Sequence, residues 1–206
     1  TKDVPNSNLF NISVGGSMND QTHFKNFQYN KGSGTDFLGF DNGLRSLNGG
    51  INATLRPMNN GYDLLNNGLN NDWSIKNRKP IADLSLSMNI AHRWVSESGR
   101  TLAMLGAVNY SNTYKTYLNM DNNLYGAYDI THDRSNYLRK GVDDQYNHNV
   151  RVGAMLNLTY VPASGNNRYE FKNIFNQLGK DRYTYRKGTD AQSDYEESAE
   201  YYYQSR

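Results

Sequence analysis

The chain has 206 residues and a formal net charge of +2, with lysine and arginine scattered among the acidic residues, which argues against a nucleic-acid-binding protein. Only 36% of its residues are hydrophobic, whereas 13% are aromatic, including 17 tyrosines; this excludes a helical membrane protein and argues against a disordered chain. Cysteine is absent, which excludes disulfides, thiolate metal sites and cysteine nucleophiles.

A period of two in hydrophobicity predicts two β-strands in the first half of the chain. The first, 9–19, has apolar residues at even positions and Asn, Ser or Gly at odd positions. The second, 83–94, repeats this pattern, and His92 is the misfit on its apolar side. No segment approaches the roughly 20 apolar residues of a transmembrane helix, so any membrane location requires strands.

Further strands follow along the chain. Segment 101–114 has an apolar even face but a weakly polar odd face, and 149–161 is again cleanly alternating. Segment 168–178 alternates until Ile174, where the phase slips and a bulge is expected. A sixth strand is predicted to open near residue 200, with its first tyrosine at Tyr201.

The connections alternate strictly between short and long. Segments 95–100 and 162–167 read as tight turns, whereas 20–82, 115–148 and 179–199 read as long loops. Outer-membrane barrels have this asymmetry, with short periplasmic turns and long extracellular loops. The pattern therefore predicts an all-β fold: part of an antiparallel, up-and-down transmembrane β-barrel with about six strands.

In such a barrel the apolar face meets lipid and the polar face lines the lumen. Aromatic residues near the strand ends are predicted to form interfacial girdles: Phe10, Trp94, Tyr114, Tyr160, Tyr169 and Tyr201. Six strands are too few for a plugged lumen of about 22 strands. The whole chain, 1–206, is therefore expected to be an arc of a larger barrel, whose signal peptide, plug and C-terminal strands lie outside it.

Four segments carry a family resemblance. They are Thr35–Leu47 (TDFLGFDNGLRSL), Asn71–Ser74 (NDWS), Phe171–Gly179 (FKNIFNQLG) and Tyr201–Arg206 (YYYQSR). In this order and spacing they resemble the early barrel of TonB-dependent receptors of Bacteroidota, the broad group that includes SusC-like importers.

The resemblance implies active import of a scarce nutrient, such as a glycan, a peptide or a chelate, across the outer membrane of a Gram-negative cell. The implied partners are the protein's own plug domain and the TonB complex, and the strand pattern adds outer-membrane lipid. Whether a surface substrate-binding lipoprotein of the SusD type is a further partner is left open by the sequence. The resemblance implies neither a catalytic activity nor a cofactor.

A search for reactive chemistry finds little. The four histidines lack metal-ligand spacing. The segment Asp121–Gly126 begins like a calcium loop, but Tyr125 and His132 stand where oxygen ligands belong, which leaves only a looser loop site open. An acidic cluster in the last loop reads as a solvated charge run: Asp194, Glu196, Glu197 and Glu200. We therefore expect no catalytic, metal or cofactor site.

Two groups of residues are candidates for binding substrate. Loop aromatics offer stacking surfaces to a sugar or peptide: Phe24, Phe27, Tyr29, Trp73, Tyr117 and Tyr125. Polar residues on the odd face offer hydrogen bonds in the lumen: Asn89, Arg93, Asn109 and Arg151. The alternatives are that the aromatics pack the loops together and that the polar residues bind the plug or water.

Two other functions fit the same strands. One is a soluble extracellular β-sandwich that binds glycans or mediates adhesion, and the other is a passive, porin-like barrel. A sandwich would gather Leu86, Val108, Val152 and Leu156 into a core between two packed sheets. A barrel would leave these side chains on its outer surface.

Overall fold

The computed structural model describes residues 4–45, 72–190 and 193–206. This part of the chain is built from β-strands and one turn of 3-10 helix at Asp36–Leu38. The strands are β1 Leu9–Ser17, β2 Phe27–Asn30, β3 Ile75–Arg78, β4 Asp83–Val95, β5 Thr101–Asp129, β6 Arg134–Val161, β7 Tyr169–Asp190 and β8 Ser193–Ser205. Among the described residues no helix has the length and hydrophobicity needed to cross a membrane.

The main sheet has six antiparallel strands in the order β1-β4-β5-β6-β7-β8. From β4 onward each strand pairs with the next one in the chain, which is an up-and-down arrangement. Strands β2 and β3 form a separate two-stranded sheet inside the first long connection. The predicted all-β, antiparallel fold is confirmed, but the main sheet is not closed, and β1 and β8 are its two edges.

The last four strands reach beyond the predicted ones. Segments 115–148 and 179–199 were predicted as loops, and this is wrong: residues up to 129, and again from 134, belong to β5 and β6, while β7 continues to 190. The sequence signal fails here because Asn and Asp occupy both faces, for example at 119–123. Backbone pairing with the adjacent strands keeps these segments extended without an apolar face.

The bulge predicted at Ile174 is also wrong. The β6–β7 register is continuous there, with Met155 opposite Ile174 and Ala154 opposite Phe175. Ile174 breaks the alternation because it lies beside Met155 on the face opposite to Phe175. A register shift occurs instead on β5 between Tyr117 and Met120. The intervening Asn119 has φ = 55°, in the left-handed region that asparagine tolerates.

Cross-strand partners point to the same side of a sheet, so the register assigns each residue to a face. Leu86, Tyr110 and Val152 lie in one row, and we call their side the Leu86 face. Ser87 and Asn109 lie in the adjacent row on the opposite side, which we call the Ser87 face. Even positions of β4, β5 and β6 belong to the Leu86 face up to the β5 bulge; on β7 the odd positions do.

The part of the Leu86 face near the short turns is apolar and exposed. Leu86 is 40% exposed, Val108 43% and Leu156 40%, while Val152 is half-buried. These four side chains do not form a core between two sheets. The band also includes Ile12, Val14, Leu84, Met88, Ile90, Leu102 and Leu158. On β1, β4, β5 and β6 the open sheet thus presents an exposed and largely apolar surface, interrupted by His92, as a barrel wall requires and a sandwich does not. On β7 the same face carries the polar Asn173 and Gln177.

Three predicted girdle aromatics line the lower margin of this apolar band. Trp94, Tyr160 and Tyr169 lie in one row beside the short turns, and the rings of Tyr160 and Tyr169 stack at 6.3 Å. Three other predictions are wrong. Phe10 lies opposite Ile90, midway along the band and away from its margins. Tyr114 is covered by the hairpin described next, and Tyr201 lies on the Ser87 face, opposite Thr184.

Beyond the apolar band the Leu86 face carries the small core of the molecule. The two-stranded sheet of β2 and β3, which we call the hairpin, packs here. Phe27, which is 1% exposed, contacts Tyr146 and Tyr114 edge-on at 5.5 and 5.4 Å. Tyr183 completes the buried cluster. The guanidinium of Arg78 lies 4.7 Å from the Tyr114 ring centre, a cation–π contact that fixes the hairpin on the sheet.

Candidate functional site

Four charged residues fasten the segment around the 3-10 helix to the Leu86 face. The Asp36 carboxylate accepts hydrogen bonds from Arg45 at 2.6 and 2.9 Å and lies 2.9 Å from Nη2 of Arg206. Arg206 also binds Asp181 of β7 at 2.8 and 2.9 Å. We call Asp36, Arg45, Asp181 and Arg206 the loop clasp. It joins a loop near the start of the chain to β7 and the end of β8.

The clasp is largely shielded from water, since the side chains of Asp36, Arg45 and Arg206 are 14%, 18% and 5% exposed. Burial alone raises the pKa of Asp36. The hydrogen bonds from Arg45, Arg206 and Ser33 outweigh burial and hold this pKa well below its ordinary value. Asp36 is therefore ionised at neutral pH, and its charge is balanced by two arginines.

Backbone shape allows the clasp segment to lie close to the sheet. Gly39 ends the 3-10 helix with φ = 78°, a conformation that suits glycine. A Cβ on Gly179 would come within 2.9 Å of the Gly39 Cα, so the two backbones touch. Phe40 stacks on Phe175 at 6.0 Å, and the Tyr110 hydroxyl donates to a backbone carbonyl of the segment. Two glycines and an aromatic pair therefore seat the loop.

Sequence reasoning did not identify the clasp as a structural unit. Asp36, Asp41 and Arg45 fall within the 35–47 segment that carries the family resemblance, and Arg45 binds Asp41 as well, at 2.6 Å. The acidic and basic residues at close spacing in this segment were the sequence signal that could have indicated an ion-pair cluster. Their partner Arg206 lies 170 positions from Asp36, a pairing that local patterns do not reveal.

Two of the predicted lumen residues meet on the Ser87 face. Asn109 and Arg151 line a groove of about 390 Å³ together with serines from three strands: Ser13, Ser85, Ser87 and Ser111. Asn89 and Arg93 lie on the same face, nearer the short turns, opposite Ala107 and Ala103. The structure thus places all four predicted lumen residues on one face, but only Asn109 and Arg151 share a groove.

Farther from the short turns, the Ser87 face holds a charged pair. Asp143 accepts two hydrogen bonds from Arg186, at 2.7 and 2.8 Å, and a third from Asn122 at 2.8 Å. The bonds from Arg186 lower the pKa of Asp143 against the opposing effect of burial. The Arg186 guanidinium also lies 5.0 Å from the Tyr201 ring centre. This carboxylate is consequently neutralised within the sheet.

The hairpin aromatics separate into packed and exposed side chains. Phe27 is buried and Tyr29 is half-buried beneath Arg78, so packing accounts for both, and Phe27 is not an accessible ligand contact. Phe24 and Trp73 are 58% and 65% exposed. Trp73 meets Tyr202 edge-on at 5.7 Å. Exposed stacking surfaces therefore remain at Phe24 and Trp73.

The remaining two predicted aromatics lie in the distal half of β5. Tyr117 is 42% exposed and belongs to the Ser87 face, opposite Gln145. Tyr125 is 52% exposed and pairs with the ring of Tyr137 at 4.8 Å. The six predicted aromatics are therefore distributed over the hairpin and the long strands and do not form one binding surface.

Histidines and carboxylates form pairs in this structure. In the described ranges no group of three or more His, Asp or Glu side chains has the geometry to hold a metal ion. His148 lies between Asp181 and Asn112, and His23 contacts Asp83 at 3.2 Å. The segment 121–126 lies within β5, so it does not form a calcium loop.

The acidic cluster predicted in the last loop belongs to β8 instead. Glu200 accepts a hydrogen bond from Tyr202 at 2.6 Å and another from Tyr183. The side chain of Asp194, like residues 46–71 of the first connection, lies outside the described residues.

Comparison with known proteins gives no match: no family model, curated protein or solved structure corresponds to this chain.

Proposed function

We propose that this chain forms part of the wall of an outer-membrane β-barrel that actively imports a nutrient. The observation that carries the proposal is the exposed apolar band of the Leu86 face, which no second sheet formed by the described residues covers, opposite a face rich in Asn, Ser and charged residues. Water penalises a large exposed apolar surface, whereas lipid does not. A sheet with one apolar and one polar face suits a boundary between lipid and a wet lumen.

The height of the band supports a membrane boundary. Along β4 it runs from Leu84 to Trp94, which is about 34 Å of extended chain and about 24 Å along the normal for a strand tilted about 45°. Outer-membrane barrels carry an apolar band about 25 Å tall, flanked by aromatic girdles. The row of Trp94, Tyr160 and Tyr169 stands where the periplasmic girdle belongs.

The distal halves of β5–β8 support an extracellular projection. Strands of 29 and 28 residues, β5 and β6, are far longer than the roughly 10 residues that cross a bilayer. Their excess lies on the side away from the short turns and is polar and aromatic. In the proposed barrel it rises above the membrane with the hairpin, while the clasp segment also covers the distal part of the band at Tyr110 and Phe175. The two open edges, β1 and β8, would pair with further strands of the same barrel.

Active import, as distinct from a static barrel wall, is supported by the resemblance of the 35–47 segment and its companions to TonB-dependent receptors. The second candidate is a passive porin-like barrel, which the same exposed band favours equally. A plug distinguishes the two. Because a plug blocks the lumen, we expect the full-length protein in planar bilayers to show no steady ohmic conductance. A stable open channel would contradict active import and support the porin function instead.

Single cysteine substitutions test the face assignment, because these 206 residues contain no cysteine of their own and any cysteine elsewhere in the full-length protein can first be replaced by serine. In full-length protein assembled in outer membranes, we expect Ser87→Cys and Asn109→Cys to react with a water-soluble maleimide. The matched neighbours Met88→Cys and Val108→Cys should resist it until detergent is added, because lipid covers them. Equal labelling at all four positions in intact membranes would refute the lipid-facing assignment.

A further inference from the structure

The Ser87 face carries four cations in three successive rows. Arg151 lies opposite Ser111, Lys180 lies opposite Asn149, and Lys115 and Arg182 lie on either side of Asn147. All four side chains are exposed. Rows on one face are two residues apart, so these charges span about 14 Å along the strands. We call Lys115, Arg151, Lys180 and Arg182 the cationic rows.

These cations are not neutralised by the protein. Within the described part of the chain, the charged groups of Lys115, Arg151 and Lys180 have no ion-pair or hydrogen-bond partner, and Arg182 donates only to the neutral Asn147 at 3.2 Å. In β5–β8 the three rows contain no carboxylate; their other members are Ser111, Thr113, Asn147, Asn149, Leu178, Tyr203 and Ser205. A local excess of positive charge remains.

The nearest carboxylates on this face have other partners. Asp83, at the end of β4, contacts His23, Ser17 and the backbone N–H of Tyr114. Asp143 is bound by Arg186. On the opposite face at the same height, arginines are matched by carboxylates in the loop clasp. Arg78, also on the opposite face, is held by the rings of Tyr29 and Tyr114 rather than by a carboxylate. Within the described residues the cationic rows differ from these arginines in having neither a carboxylate nor an aromatic ring as partner.

We propose that the cationic rows and the adjoining groove at Arg151 bind an anionic solute, one that bears several carboxylate, phosphate or sulfate groups. The inference rests on the proposed function, in which the Ser87 face lines the lumen. Lysine and arginine lining a pore select anions, and a wall of one sign raises the local concentration of the opposite charge. The serines, asparagines and Thr113 between the cations supply hydrogen-bond donors that an anion needs.

The test measures binding of inositol hexakisphosphate to full-length protein in detergent micelles by isothermal titration calorimetry, with uncharged myo-inositol as the comparison. We expect binding of the polyanion alone, weakening as salt is added. The triple variant Arg151→Gln, Lys180→Gln and Arg182→Gln should lose about tenfold or more in affinity, because charge-assisted contacts are removed. The charge-matched control Lys25→Gln, Lys31→Gln and Lys76→Gln changes exposed hairpin lysines and should bind within about twofold of the parent.

Absence of binding to the folded parent protein, or an equal loss in the control triple, would overturn the proposal. If the triple variant fails to assemble, protection of Asn109→Cys from maleimide by inositol hexakisphosphate, but not by myo-inositol, gives the same answer in an otherwise intact protein. Labelling also separates the two proposals. If cysteines on the Ser87 face are labelled but the polyanion does not bind, only the anionic-solute proposal is refuted. If these cysteines are not labelled, the proposal that the Ser87 face lines a lumen is refuted.

Discussion

Arginine at Leu156 or Leu86 is expected to destabilise the assembled protein by about 2–4 kcal/mol near the bilayer midplane. Both side chains are 40% exposed on the apolar band, so in the proposed barrel the guanidinium would replace a contact with lipid rather than a contact in a core. Leu156 shares a row with Gly106 and Ile90, midway along the band, whereas Leu86 lies two rows nearer its distal margin. The cost should therefore be larger at Leu156.

The matched control is Ser87→Arg, on the neighbouring residue of β4. Its side chain lines the polar groove with Asn109, so an added guanidinium stays in water and should leave stability unchanged within about 0.5 kcal/mol. Urea unfolding of the full-length protein in lipid vesicles measures the difference, and heat-resistant migration on gels reports assembly. Equal tolerance of arginine at the three positions would remove the lipid-facing assignment.

The parts of the fold that the sequence predicts are those with one apolar and one polar face. Strands β1 and β4, both short turns and the proximal halves of β5, β6 and β7 were predicted within a few residues. In these segments a register shift of one residue would move every apolar side chain to the polar face of the sheet. Apolar and polar residues therefore alternate strictly in their sequence. Ile174 shows the limit of the rule, because one apolar residue on the polar face looked like a bulge.

The distal halves of the strands have no such constraint. Tyr, Asn and Asp are tolerated on both faces when both are wet or covered by loops, and the period of two disappears. Lys115, Lys180 and Arg182 fall in segments that were predicted as loops, so no face was assigned to them. Arg151 was assigned correctly because it lies in a cleanly alternating segment. Most of the cationic rows therefore required the register of the sheet.

The hairpin and the clasp depend on contacts between distant parts of the chain. Phe27 was predicted as a loop aromatic, and its burial follows from Tyr146 and Tyr183, which approach it only when β6 and β7 are extended that far. Similarly, Asp36 meets Arg206 through the order of strands in the sheet. A sequence supplies the residue types for such contacts, while the topology decides which of them meet.

Replacing Asp36 by asparagine is expected to release the clasp segment from the sheet. The substitution keeps the shape of the side chain but leaves Arg45 and Arg206 without their shared carboxylate, and breaking a buried ion pair from one side costs about 3–5 kcal/mol. Hydrogen exchange in the full-length protein should show a loss of protection of about 100-fold or more across residues 36–45, since about 1.4 kcal/mol corresponds to tenfold. Strands β4 and β5 should keep their protection.

Lowering the pH should reproduce this release in the unsubstituted protein. Because the folded pKa of Asp36 lies below its ordinary value of 3.8, the stabilisation is complete above that value and is lost as the pH falls toward the folded pKa. The Asp36→Asn variant should lack this component of the pH dependence, whereas Asp20→Asn, which changes an exposed loop carboxylate, should retain it. Unchanged protection of 36–45 in Asp36→Asn at neutral pH would mean that Gly39, Phe40 and their partners on β7 hold the loop without the clasp.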